Sequence, residues 1–289
     1  METSELLKKV RKIELKTRGL SNHIFAGEYH TAFKGRGMAF SEVREYQAGD
    51  DIRTIDWNVT ARFNNPFVKI FEEEREMTVI LMIDVSGSKN FGTQNQMKQE
   101  LVTELSAVLA FSAIQNNDKI GVIFFSDKVE KFIPPKKGKS HILRIIRELI
   151  AFEPQNKGTD IGEALRYFNN VIKKRSVCFV ISDFIAEGFD APLKIANKKH
   201  DVVSIRIHDP REEELPNVGI IQMIDAETNQ IKWIDTSNKN VRDSYHKNYI
   251  NTEKTINQLF KSSGVDTIQL RTDKDYIKPL IHFFKRRGK

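Results

Sequence analysis

Cysteine is nearly absent: Cys178 is the only one in 289 residues. That excludes an internal disulfide framework and a cysteine-based zinc site. Cys178 lies in Val177-Cys178-Phe179-Val180-Ile181, where it reads as a small buried hydrophobe rather than a nucleophile. Long apolar runs are also missing. Nothing approaches the ~18 residues needed to cross a bilayer, and the start, Met1 to Lys9, has no apolar core of signal-peptide length. A soluble, reducing, cytoplasmic setting is expected. There is no internal repeat and no low-complexity linker. Gly35-Arg36-Gly37 is no dinucleotide fingerprint, because no strand precedes it and position 40 is Phe.

Acidic charge is in the minority, with 39 Asp and Glu against 46 Lys and Arg, for a net +7. Basic residues gather at both ends, Lys8 to Lys16 and Lys285 to Lys289. Basic–aromatic interleaving is lacking, so these read as solvated faces and nucleic acid is not expected. A peripheral contact with an anionic membrane stays open.

What is present is a core: 39% of residues are apolar. Thr3 to Thr17 reads as an amphipathic helix. From Thr78 onward strands alternate with helices: strands Thr78–Asp84, Ile120–Phe125, Val177–Ile181, Val202–Ile207 and Thr267–Leu270, with helices between them. Among the helices are Gln96–Asn116 and His141–Ile150, the latter with Ser140 as its N-cap. A hairpin is expected where Gly219–Ile224 and Gln230–Ile234 flank a turn. Alternation of this kind predicts an α/β fold with a doubly wound, mostly parallel sheet. The division expected is residues 1–77, an N-terminal helix and a further segment packing on the core, and residues 78–289, the α/β domain.

Five oxygen-bearing residues fall at the carboxyl ends of those strands or at a helix entrance. Asp84, Ser86 and Ser88 leave the first strand on alternate positions, so they converge on one point. Thr159 opens a helix in Gly-Thr-Asp-Ile-Gly, and Asp183 ends a strand in Ile-Ser-Asp-Phe. Taken singly each could be a cap; Thr159 in particular is placed as an N-cap with Asp160 in the first turn. Together they suit Mg²⁺, or Mn²⁺ in its place, bound by hard oxygens. Few carboxylates for a divalent ion leave positive charge uncompensated and one position open to a partner's carboxylate. Metal-assisted hydrolysis would call for more carboxylates, a second metal or a general base beside the metal-bound water.

Upstream, Arg44, Tyr46, Asp50, Arg53, Asp56, Trp57 and Arg62 mix arginines, acids and aromatics at short spacing. They read as a buried, arginine-bridged network bracing a stretch without regular structure, or as a partner-binding surface. A competing enzyme reading is a serine hydrolase using Ser86, Asp183 and His208. The nucleophile elbow it needs has Gly two residues either side of the Ser, where Asp84 and Ser88 stand.

Asp84-x-Ser86-x-Ser88, Thr159 and Asp183 resemble the metal-ion-dependent adhesion site of von Willebrand factor A domains. Gly35-x-Gly37, Phe40, Arg44-x-Tyr46, Gly49-Asp50-Asp51-x-Arg53-x-Ile55-Asp56-Trp57 and Ala61-Arg62 narrow the resemblance. With Asp209-Pro210-Arg211-Glu212, Trp233 and Asp273-x-Asp275-Tyr276, they resemble a bacterial A-domain-like family, the fifty-eighth domain-of-unknown-function family. The resemblance implies an A-domain-like fold and a non-enzymatic, partner-binding role. The implied role is that of adaptor or co-chaperone to a MoxR-type AAA+ ATPase, acting on a client protein with an acidic ligand residue. Lys89 departs from the Met common in A domains, and the membrane-anchored N-terminal region of many members is not seen here.

Overall fold

The computed structural model describes residues 8, 10–14, 17, 38–63, 65–73, 76–87, 98–156, 158–224 and 230–287. By backbone contacts the chain forms two compact units, Phe33–Glu76 and Met77–Lys289 together with Met1–Ala32.

In the smaller unit, β1 (Met38–Glu45) pairs antiparallel with β2 (Phe67–Glu73), with a bulge between Phe40 and Glu42. A 3₁₀ turn (Ile52–Thr54) and α1 (Trp57–Phe63) join them. The stretch expected to lack regular structure therefore has it. Its strand β1 escaped notice because its apolar positions do not alternate cleanly.

The larger unit is built on a six-stranded sheet. Its strands are β3 (Thr78–Asp84), β4 (Lys119–Phe125), β5 (Val129–Lys136), β6 (Val177–Ser182), β7 (Asp201–His208) and, last in the chain, β10 (Asp266–Arg271). The spatial order is β10-β7-β6-β3-β4-β5, parallel throughout except for β5, which runs antiparallel at the edge. An edge position tolerates Pro134 and Pro135 inside β5, since no inner ladder bond is lost there. The central strands are continuous apolar runs because both faces are covered. The expected doubly wound, mostly parallel α/β class is the class observed.

Helices of this unit are α2 (Lys98–Gln115), α3 (Lys139–Ala151), α4 (Ile161–Val171), α5 (Asp190–Lys199), α6 (Pro210–Glu213), α7 (Lys239–Ser263) and α8 (Ile277–Arg287), and residues 8, 10–14 and 17, where the N-terminal helix was expected, are helical too. On one face Ile80, Met82, Cys178 and Val180 pack with Leu165, Phe168, Leu193 and Phe260 of α4, α5 and α7. On alternate residues the opposite face is presented, where Phe179 meets Phe284 of α8 edge-on. α7 stops at Gly264, whose φ of 63° is the left-handed cap that glycine adopts without penalty. The predicted hairpin is β8 (Ile220–Ile224) with β9 (Ile231–Asp235), and one of its faces exposes Ile220, Ile224, Ile231 and Trp233. Two cap assignments need correction: α3 is preceded by Gly138, not capped by Ser140, and Asp160, not Thr159, caps α4 by accepting from Glu163 N at 2.8 Å.

His200, between α5 and β7, is 0% exposed and lies against the Phe168 ring with centroids 4.3 Å apart. Its Nδ1 pairs with Ser176 Oγ at 3.0 Å, while Nε2 has no hydrogen-bond partner among the described residues. Burial first, then Lys199 and Arg175, push its pKa down to about 4. The unfolded chain therefore takes up this proton near pH 6.5, before the folded one does. The stability tied to neutral His200 is complete above that value and is lost as pH falls, about 2 kcal/mol by pH 5. Urea titrations at pH 7.5 and 5.0 should show this loss in the wild type and not in His200→Phe; equal pH dependence in the two would refute it.

Candidate site at the carboxyl edge of the sheet

The chain leaves β3 toward β4 on one side and later returns to place β6 on the other. β3 and β6 thus flank the topological switch point, where open α/β sheets bind their ligands. Asp84 ends β3 and Asp183 follows β6 directly. The sheet alone brings these two residues, 99 positions apart in the numbering, to one edge.

Local geometry then fixes their side chains. Asp84 Oδ1 accepts from Ser86 N at 2.9 Å, and Asp84 Oδ2 accepts from Ser182 Oγ at 2.6 Å. The Ser86 side chain also hydrogen-bonds Asp84, and Ser86 is fully buried. Ser182 Oγ in turn accepts from Phe184 N at 3.0 Å. Asp183 Oδ1 accepts from Ile185 N at 3.2 Å. Phe184, between these two, has φ 59°, a left-handed conformation that a bulky residue adopts only when its surroundings impose it.

Thr159 is half-buried and reaches the same edge through the backbone. Asp160 N donates to Ser126 O at 2.8 Å, Ser126 follows Phe125, and Phe125 is the register partner of Asp84. Ser88 lies outside the described residues. Asp84, Ser86 and Asp183 are thus brought together by shared hydrogen bonds and charge, and Thr159 by topology.

Electrostatics mark the pair. Burial, then repulsion from Asp183, raise the Asp84 pKa to about 6, against the pull of Ser182 and Ser86. Lys98, the first residue of α2, is 4% exposed and places its ammonium 3.3 Å from Asp183 Oδ2 and 2.5 Å from Glu212 Oε1. Burial alone would lower the lysine's pKa, but the two carboxylates outweigh it and hold it above its ordinary value. Glu212 sits in α6 and accepts from Asp209 N at 3.2 Å, closing a capping box in which Asp209 caps the helix. Asp209 is itself held by Thr272 Oγ1 at 2.7 Å. Beneath Asp183 lies Arg206 of β7, 1% exposed, whose Nε donates to Asp183 O at 2.9 Å and whose guanidinium pairs with Glu253 of α7.

Lys98, Ser182, Arg206 and Glu212 were not among the predicted site residues. Arg206 had a visible signal, a charge inside the apolar run Val202-Val203-Ser204-Ile205-Arg206-Ile207. Lys98 had none, since a lysine near a helix start is ordinary.

The hydrolase arrangement is not formed among the described residues. His208 Nε2 pairs with Glu213 Oε1 at 2.9 Å, and Ser86 is engaged with Asp84. Glu213 is shared with Arg271, which also pairs with Asp273. No three His, Cys, Asp or Glu side chains gather as a metal site among the described residues. Cation chemistry here would rest on two carboxylates supplemented by hydroxyls.

Within the smaller unit, Arg44 grips Asp50 with two bonds of 2.8 and 2.7 Å, and Asp56 caps α1 and meets Lys69 at 3.4 Å. Arg53, Trp57 and Arg62 are exposed, Trp57 to 67%, and Tyr46 is half-buried. Among the described residues, the expected network shows as the local Arg44–Asp50 and Asp56–Lys69 pairs, with Trp57 outside it. Ile52, Trp57 and Phe63 form exposed apolar surface instead.

Residues 42–255 match the family described as "Protein of unknown function DUF58". An uncharacterized protein of Mycobacterium tuberculosis, Rv1480, is 26% identical over 293 residues, covering all of this chain and 92% of that one. Among solved structures, an aerotolerance-related membrane protein from Bacteroides fragilis superposes with a TM-score of 0.51 at 17% identity, over 73% of this chain and 98% of that one. The SpRpn10 VWA domain gives a TM-score of 0.38 at 11% identity, over 72% and 94%. No helix among the described residues is long and apolar enough to cross a membrane.

Proposed function

This chain belongs to the DUF58 family of proteins of unknown function, and we propose that its sheet edge is a metal-dependent protein-interaction site. A von Willebrand factor A-like fold is that of an interaction module. The observation that carries the finer reading is the Asp84–Asp183 pair at the switch point, with Ser86 beside it.

The donor chemistry fits a small hard cation. Asp84 is buried and faces a second carboxylate, and both circumstances disfavour its charge. A divalent ion relieves both at once, and carboxylate with hydroxyl oxygens is the ligand set Mg²⁺ accepts, with waters filling the remainder. Mn²⁺ takes the same donors. Ser88 and Thr159 complete the set by sequence pattern. When bound, the ion would offer one position to a carboxylate of a partner protein. We place a MoxR-type AAA+ ATPase as the partner this module serves, on the family resemblance alone.

The test is a pull-down of the MoxR-type ATPase from the same cell on the immobilised full chain, with Mg²⁺ and with a chelator. Retention should require the metal. Asp84→Ala should weaken it about 30-fold or more, the scale of an interface hot spot, with the circular dichroism spectrum unchanged. Equal retention by Asp84→Ala in Mg²⁺ would remove the metal bridge.

A further inference from the structure

Lys98 is a cation already built into the site. Its ammonium is buried between Asp183, a candidate ligand, and Glu212, which lies outside the candidate ligand set. The ammonium thus bridges the buried Asp183, which repels Asp84 across the switch point, and the half-buried Glu212. The neighbouring guanidinium of Arg206 is occupied by Glu253 and by Asp183 O.

We propose that Lys98 partly neutralises Asp183, so that a divalent ion at this edge is compensated chiefly by Asp84 and keeps positive charge for a partner's carboxylate. This rests on the metal-dependent reading above and assigns the residue that sets its selectivity. Asp183 Oδ2 is the oxygen the ammonium holds, and Oδ1 is engaged by Ile185 N. An anion shared with an ammonium draws less of a neighbouring cation's charge than a free one, because like charges so close repel strongly at the low effective dielectric of a buried site. Glu212 sets the division: the more of Lys98 it takes, the more of Asp183 is left to the metal. The ammonium lies 2.5 Å from Glu212 and 3.3 Å from Asp183, so the two carboxylates share it.

Two affinities should then move in opposite directions on Lys98→Met. Mn²⁺ alone should bind about tenfold tighter, one cation having left the cluster. Retention of the ATPase at saturating Mn²⁺ should fall about tenfold, because the ion is now better neutralised from within. Damage to the fold would lower both. Glu212→Gln keeps the ammonium and removes the rival charge, so more of it falls to Asp183, and Mn²⁺ binding should weaken several-fold while retention at saturating metal holds or rises.

The measurement is Mn²⁺ titration of the full chain by electron paramagnetic resonance at pH 8, where Asp84 is ionised, beside the pull-down. Wild type that binds no Mn²⁺, or binds it equally with Asp84→Ala, overturns the metal reading itself. Mn²⁺ bound through Asp84 but no tighter in Lys98→Met overturns the role of Lys98 and leaves the metal reading standing. Should Lys98→Met not fold, Glu212→Gln decides: an unchanged Mn²⁺ affinity there refutes the proposal.

Discussion

Arg206→Met is expected to lower the unfolding free energy by about 3–5 kcal/mol, the cost of breaking a buried ion pair by removing one partner. Arg206 sits mid-sheet between β6 and β10, its Cα in register with Ser182 and with Gln269. Burial lowers its pKa, opposed by Tyr249, Asp183, Glu212 and Glu213, so the guanidinium is held in place by surrounding negative charge. Without it, Glu253 is left as an uncompensated acid and the Asp183 carbonyl loses its donor. The double variant Arg206→Met with Glu253→Met should recover most of the loss, since replacing both members of a buried pair with apolar groups is often neutral. Guanidinium chloride unfolding curves measure this. A loss below about 1 kcal/mol in the single variant, against the expected range, would show that the pair contributes little.

Phe184→Ala should be about as costly, about 3–5 kcal/mol for an aromatic ring lost from a packed core. The ring is 1% exposed and packs edge-on against Phe260 at 4.9 Å, with Phe189 at 6.1 Å. The backbone at Phe184 has φ 59°, so packing energy opposes a local strain on the order of 1–2 kcal/mol. Strain and packing together aim the neighbouring Asp183 carboxylate. Phe184→Ala removes the packing and keeps the strain, so the loop should relax and the candidate site loosen with it. Hydrogen exchange at the Phe184 and Ile185 amides, which donate to Ser182 Oγ and Asp183 Oδ1, should accelerate by more than the global loss predicts. Exchange that follows global stability alone would separate the core role from the positioning role.

Much of the fold was legible because its signals are local. The buried strands are apolar runs bounded by polar residues, and a parallel sheet buried on both faces produces such runs directly. Asp84 and Asp183 were legible for the same reason, as the first acids after two such runs. Cap identities were misread at α3 and α4 because Ser140, Thr159 and Asp160 are all acceptable caps by residue type. Which one caps depends on where the preceding loop delivers the chain, and Ser126 O fixes that for α4 by holding Asp160 N. In the smaller unit the residue types allow either a buried network or a partner-binding surface, because exposure is not a property of type, and Trp57 faces outward.

By itself, then, the sequence determined the α/β alternation, the strand ends and the residues that stand on them, since each follows from period and polarity along the chain. Only the tertiary structure decided what surrounds those residues. The strand order placed Asp84 beside Asp183, and Ser182 tied the two sides of the switch point together. Lys98 and Glu212, 114 residues apart, meet beneath that edge, where burial strengthens every charge. Electrostatic energy depends on distance and on the exclusion of water, and neither quantity exists until the chain has folded.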